Sequence, residues 1–115
     1  MNVVVLRGAV VRLPEIRELP SGSRLCSFDV RTAGPDGRAE TVPVSWADPP
    51  AADEEALLEG AEVLVVGRIR RRFFRSGGAT QSRTEVVAER VARPRQAKRV
   101  RSAVDAAIEA ISAGE

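Results

Sequence analysis

Valine-rich runs set the rhythm of this chain. From Asn2 to Arg12 they cluster around Gly8, and that β-branched content predicts a first strand. Cys26, Phe28 and Val30 then alternate with Ser27, Asp29 and Arg31, the two-residue period of a half-buried strand over Leu25–Thr32. Val42, Val44 and Trp46 share one face of a third strand, Thr41–Trp46. Pro43 has no N–H to donate and places that strand at an edge or a bulge. A fourth strand, Glu62–Phe74, changes character halfway: Val63–Val66 is apolar, whereas Arg68–Arg75 is almost wholly basic and aromatic. Ser82–Ala92 returns as a fifth.

The punctuation between these runs orders them. Pro14 and Pro20-Ser21-Gly22 bracket a short connection, and Gly34-Pro35-Asp36-Gly37 is a turn in which Pro presets φ and Gly supplies a positive one. Asp53–Glu59 reads as a two-turn helix with its acids toward the N-terminal end and Gly60 as its stop. Ser76-Gly77-Gly78-Ala79 is a flexible tip. The resulting order is strand, strand, strand, short helix, strand, strand. It is that of an all-β, five-stranded Greek-key barrel of the oligonucleotide-binding (OB) type, with its helix between strands three and four. A plain meander or an open sheet has no reason for a helix at that one position.

Beyond Pro94 the pattern shifts to a helical one. Gln96–Ser112 places Val100, Val104, Ile108 and Ile111 on one stripe. The expected division is a barrel domain over 1–93 and an amphipathic helical extension over 94–115. Arg95, Lys98, Arg99 and Arg101 open the helix while Asp105 and Glu109 follow, a polarity that opposes the helix dipole and needs another reason. Two readings stand open: the stripe packs on its own barrel, or it serves subunit association or brings the basic start to a nucleic acid.

Composition narrows the chemistry. The 115 residues suffice for one domain and a modest extension. No apolar run approaches the roughly 20 residues of a membrane span, and Met1–Leu6 lacks a basic leader region. The expectation is therefore a cytoplasmic protein with no membrane partner. Histidine is absent, which removes imidazole bases and ligands; the single Cys26 can form neither an internal disulfide nor a zinc site and reads as a small buried hydrophobe. Asp48, Asp53, Glu54 and Glu55 lie together but suit a helix start. No cofactor, metal or enzymatic activity is expected.

Charge is distributed unevenly. Residues 1–67 carry six Arg against eleven acids, a balance of −5; residues 68–101 carry eleven Arg and Lys98 against Glu85 and Glu89, a balance of +10; residues 102–115 add −3, giving the net +2. All basic residues but Lys98 are arginine, whose planar fork suits phosphates and stacks on bases. Alternation puts Arg68, Arg70, Arg72 and Phe74 on one face of the fourth strand and Ile69, Arg71 and Phe73 on the other. A row of guanidinium groups leading to an aromatic is what a groove that tracks a single strand needs, with a solvated face as the bland alternative. Phe73 and Phe28 read as core.

Several segments together resemble the bacterial single-stranded DNA-binding proteins. They are Asn2–Gly8, Pro14-Glu15-Ile16-Arg17 with Leu19-Pro20-Ser21-Gly22, Leu57–Val63 with Val66-Gly67-Arg68-Ile69-Arg70, and Thr84-Glu85-Val86-Val87-Ala88, spread over residues 2–92. The resemblance implies an OB barrel that binds single strands non-enzymatically, by stacking bases on aromatic rings and following phosphates with a basic groove. Carried over by position, Phe74 matches a stacking tryptophan, Arg70 and Arg72 match basic residues before it, and Trp46 matches a stacking phenylalanine. Arg68, Arg75 and Arg83 complete the expected phosphate contacts. Trp46 also shares a face with Val42 and Val44, so for it core and stacking readings both stand.

Two departures qualify the resemblance. The family's pattern has further stacking tryptophans, one around the second and third strands and one where this chain has Glu40; both are missing, which implies weaker and more electrostatic binding. The family's acidic tail tip is also missing here, so recruitment of partners through such a tip is not expected. The resemblance implies a homo-oligomer, a dimer or tetramer, paired partly through the first strand. RNA is a nearby alternative ligand, since nothing here reads a 2′-hydroxyl. An OB-fold protein-interaction module of a primosome or recombination complex, with weak or no DNA binding, is the alternative from a different class.

Overall fold

Alternation read from the chain becomes antiparallel pairing in the computed structural model, which describes residues 1–113. The strands are β1 (Val4–Val10), β2 (Glu15–Glu18), β3 (Arg24–Ala33), β4 (Ala39–Ala47), β5 (Glu62–Ser76) and β6 (Ala79–Ala92). Helix α1 (Ala51–Ala56) separates β4 from β5, and α2 (Ala97–Ser112) follows β6. The sheet runs β1-β5-β6-β4-β3 and closes through β1 onto β3, so five strands complete a barrel. The β4–β6 seam, Val44–Trp46 against Val86–Ala88, is parallel and the other pairings are antiparallel. The expected fold is the observed one. Gly114 and Glu115, on which the expectation of a missing acidic tip partly rests, lie outside the described residues.

Side chains of one parity fill the barrel. Cys26, Phe28 and Val30 of β3 meet Val44 and Trp46 of β4, Val63 and Val65 of β5, and Val86 and Ala88 of β6. Each fully buried Val, Leu or Phe contributes about 1.5–3 kcal/mol by leaving water. Cys26 has no exposed surface; burial, with the nearby Glu54 charge adding to it, pushes its thiol up to about 11 despite the opposing Arg24. Leu57, just past α1, is buried and plugs one end of this core. Pro43 sits opposite Asp29 of β3, and β6 joins β4 only from Val44 onward, so the proline occupies a stretch with a strand on one side.

Closure depends on two missing side chains. A Cβ on Gly8 would run into the Arg31 carbonyl oxygen, where β1 swings over to β3. A Cβ on Gly67 would meet the Val87 carbonyl oxygen, next to the register shift at Val66/Gly67 where β5 bulges against β6.

One sequence expectation needs correction here, and one open reading is answered. The Pro14–Gly22 connection contains a strand, β2, paired to β3 from Glu15↔Ser27 to Glu18↔Arg24; its four residues are all exposed, so it leaves no hydrophobic period to read. Helix α2 does pack on its own barrel, but not through the branched stripe. Ala103 and Ala107 are the buried residues, seated on Val66 with Val3 and Leu64 around them, while Val104, Ile108 and Ile111 stay exposed. Small side chains let the helix backbone approach the sheet closely, and the anchor that fixes its roll is polar. Arg99 Nη1 donates to Asp53 Oδ1 at 2.6 Å and Arg99 Nη2 donates to the Val91 carbonyl at 3.0 Å.

Candidate nucleic-acid interface

Past Gly67 the β5–β6 hairpin outgrows the barrel. Every residue from Arg68 to Ser76 is exposed, as is every residue from Ala79 to Thr84 on the return strand. The arm turns at Gly77-Gly78, whose φ of 60° and 82° belong to the two-residue turns that match strand twist. Arg75 Nη2 donates to the Gly78 carbonyl at 3.1 Å and ties the tip back. Helix α2 covers the Val66 half of β5 and stops short of the basic half.

Register decides what the arm presents. Arg68, Arg70, Arg72 and Phe74 stand opposite Val87, Glu85, Arg83 and Gln81, so these side chains share the outer face. That face continues across β4 and β3 into a groove of about 320 Å³ whose lining includes Arg72, Arg83 and Glu85 with Ser45 and Asp29. Arg12, Leu13 and Arg17 close its far side.

The groove floor holds a buried carboxylate. Glu85 is only 4 % exposed. Arg70 Nη2 donates to its Oε2 at 2.6 Å, the Ser45 hydroxyl donates to the same oxygen at 3.2 Å, and Arg72 Nη1 lies 3.7 Å from Oε1. Burial pushes the Glu85 carboxyl up, but the Arg70 hydrogen bond and charge, the Ser45 hydroxyl and the Arg72 charge outweigh it and hold the group below its ordinary value. Arg83 lies 3.8 Å from Asp29. Arg70, Arg72 and Arg83 are thus held by acids, while each guanidinium keeps donors to spare; Arg12 and Arg17 across the groove have no carboxylate partner among the described residues. Arg68, Arg71 and Arg75 have no carboxylate partner among the described residues, so the arm carries three unneutralised positive charges.

The expected site residues separate into three groups. Arg72 and Arg83 line the groove and Arg70 is joined to it through Glu85, with Arg68 and Phe74 along the same face. Arg75 lies on the reverse face of the arm, by strand alternation with Arg71 and Phe73. Trp46 is in the core at 7 % exposure, so of its two readings the structure shows core, and its ring offers no open face for a base.

Phe28 is core as expected, whereas the core expectation for Phe73 is corrected: its ring is 66 % exposed, more than the 43 % of Phe74, because no layer covers either side of the projecting arm. Glu40 stands opposite Thr32, on the face of Val42 and Val44 rather than that of Pro43 and Ser45, and so points away from the groove. Sequence reasoning missed Glu85 and Ser45 as a unit, and missed the β1–β2 wall of Arg12, Leu13 and Arg17. An acid directly opposite Arg70, where the basic strand pairs with its return strand, was the available signal for Glu85.

A five-stranded barrel with its helix between the third and fourth barrel strands, and a basic hairpin arm bordering a polar groove, defines the OB class of small β-barrels. Within it, the family model described as the Single-strand binding protein family matches residues 1–94, and the chain belongs to that family. No curated protein matches the chain.

Proposed function

We propose that this protein binds single-stranded DNA without sequence preference and serves DNA replication, recombination or repair. Membership of a family of single-strand binders supports the binding itself. The observation that carries the mechanism is the open arm, with acid-free Arg68, Arg71 and Arg75 beside two exposed phenyl rings. A strand lying along the outer face meets Phe74 for stacking and the spare donors of Arg70, Arg72 and Arg83 for phosphates. Phe73, on the reverse face, receives a base where the strand crosses the arm's edge. Binding is the whole activity; no reaction is assigned. The protein acts as a homo-oligomer in the cytoplasm, at the nucleoid, with the β1 edge that has no strand partner among the described residues over Val4–Gly8 as one pairing surface.

Anisotropy of a labelled oligo-dT tests this at low and at high salt. Saturation by micromolar protein at low salt, lost as salt rises, is expected; a flat trace at low salt refutes the reading. An excess of unlabelled oligo-U in the same titration reports whether RNA competes.

Burial of Trp46 and the pairing of Arg70, Arg72 and Arg83 with acids favour one second reading, a barrel that holds a protein partner and binds DNA weakly or not at all. Phe74→Ala combined with Arg70→Ala and Arg72→Ala separates them. Lost oligonucleotide affinity supports DNA binding; unchanged affinity with a lost protein contact supports the second reading.

A further inference from the structure

Three arginines crowd together on the outer face at the root of the arm. Arg72 stands directly opposite Arg83 across the β5–β6 ladder, an arrangement of like charges that sheets disfavour. Arg70 lies on the same face two residues back, about 7 Å along the strand at roughly 3.4 Å per residue. Repulsion alone would splay the three side chains apart into water. Two acids oppose it. Glu85, opposite Arg70, accepts from Arg70 Nη2 at 2.6 Å through Oε2 and has Arg72 Nη1 at 3.7 Å from Oε1, while Asp29 lies 3.8 Å from Arg83.

Glu85 is the acid that two arginines share, and it sits beneath them. Its side chain is 5 % exposed, against 43 % for Arg70 and 45 % for Arg72. A ligand in the groove therefore meets the guanidinium groups and not the carboxylate. From β4 the Ser45 hydroxyl donates to Oε2 at 3.2 Å and fixes the carboxylate in turn. Arg68, on the same face, has no acid partner among the described residues and no such restraint. A free arginine gives up rotamer freedom when it grips a phosphate; one already held in place gives up less.

We propose that Glu85 is a positioning residue for nucleic-acid binding: it gathers Arg70 and Arg72 into one preformed phosphate-binding pair, so that a negative charge in the groove floor raises affinity for a polyanion. The proposal rests on the reading of this face as a single-strand site. Its sign is the reverse of what charge alone dictates. Removing a carboxylate from under two guanidinium groups makes the groove more positive, which by Coulomb attraction tightens binding; losing the preformed pair loosens it.

Anisotropy of labelled oligo-dT with the full chain, taken below the thermal transition of every variant, tests it. Glu85→Gln removes the charge and keeps the shape, and is expected to weaken binding about ten-fold as two arginines regain their freedom. Glu85→Asp keeps the charge but draws it back by one methylene, and is expected to weaken binding about three-fold, where charge alone predicts no change. Glu40→Gln removes one negative charge from the other face of β4 and is expected to bind as the wild type does. With Arg70→Ala and Arg72→Ala already present, adding Glu85→Gln is expected to bring no further loss, because Glu85 acts through those two side chains; a general distortion weakens both backgrounds alike. Glu85→Gln that binds as tightly as the wild type or more so, or that weakens binding equally in both backgrounds, overturns the proposal and leaves DNA binding standing. A wild-type chain that does not bind oligo-dT removes the reading beneath it.

Discussion

Phe73 and Phe74 are neighbours in the chain and lie on opposite faces of one strand, yet both rings are open to solvent. An exposed phenyl ring costs an arm something in solubility and gains it nothing in packing. Stacking on a base is worth about 1–3 kcal/mol. Phe74→Ala and Phe73→Ala are each expected to weaken oligo-dT binding by roughly five- to hundred-fold, with little change in thermal stability, as anisotropy and calorimetry will show.

Glu85 makes the opposite trade, a charge taken out of water and held by Arg70, Ser45 and Arg72. Its carboxyl is depressed below the ordinary 4.5, so the stabilisation is complete above that pH and is lost as pH falls through the lower folded value. Glu85→Gln is expected to cost about 1–3 kcal/mol at pH 7. Its gap from the wild type should narrow below pH 4.5 in thermal melts taken down to pH 3. Residues such as Phe74 and Arg70 were legible because a strand's own alternation aims them. Glu85 was not, since what makes a buried acid tolerable comes from three other positions on two strands.

Elements were more legible than their contacts. The five barrel strands and both helices follow from valine runs, alternation and Gly/Pro punctuation, and their ends moved by a few residues at most. Strand β2 escaped because an all-exposed strand carries no buried period. Helix α2 was found, but which of its faces packs on the barrel was left open. Hydrophobic periodicity weights Val and Ile over Ala, whereas close approach to a sheet selects Ala103 and Ala107.

The bulge at Gly67 is the joint between barrel and arm, and it admits no side chain. Gly67→Ala is expected to destabilise by about 3 kcal/mol, the upper end for overpacking. Gly78→Ala at the open tip, with only its positive φ to contend with, should cost about 1–2 kcal/mol. Denaturant unfolding of the two variants measures both.

At the scale of the molecule, charge is sorted by position. Arg70, Arg72 and Arg83 answer to Glu85 and Asp29, the helix α2 carries its own divided pattern, and among the described residues Arg68, Arg71 and Arg75 of the arm have no acid partner. Releasing counterions lowers log K by about 0.7 per log unit of salt for each phosphate neutralised on a single strand. Replacing those three arginines by alanine is expected to reduce the salt slope of oligo-dT binding by roughly 2, with the barrel's melting temperature little changed. Family membership points to single-stranded DNA as the ligand, and what this chain adds is an arm that presents exposed arginine and phenylalanine side chains.

The most direct measurement is a backbone amide NMR titration of the protein with oligo-dT. Shifts concentrated on residues 68–83, Ser45 and Glu85, with α2 unmoved, are the predicted result. Saturating oligonucleotide that leaves the arm unperturbed, or that shifts α2 and β1 instead, contradicts the account.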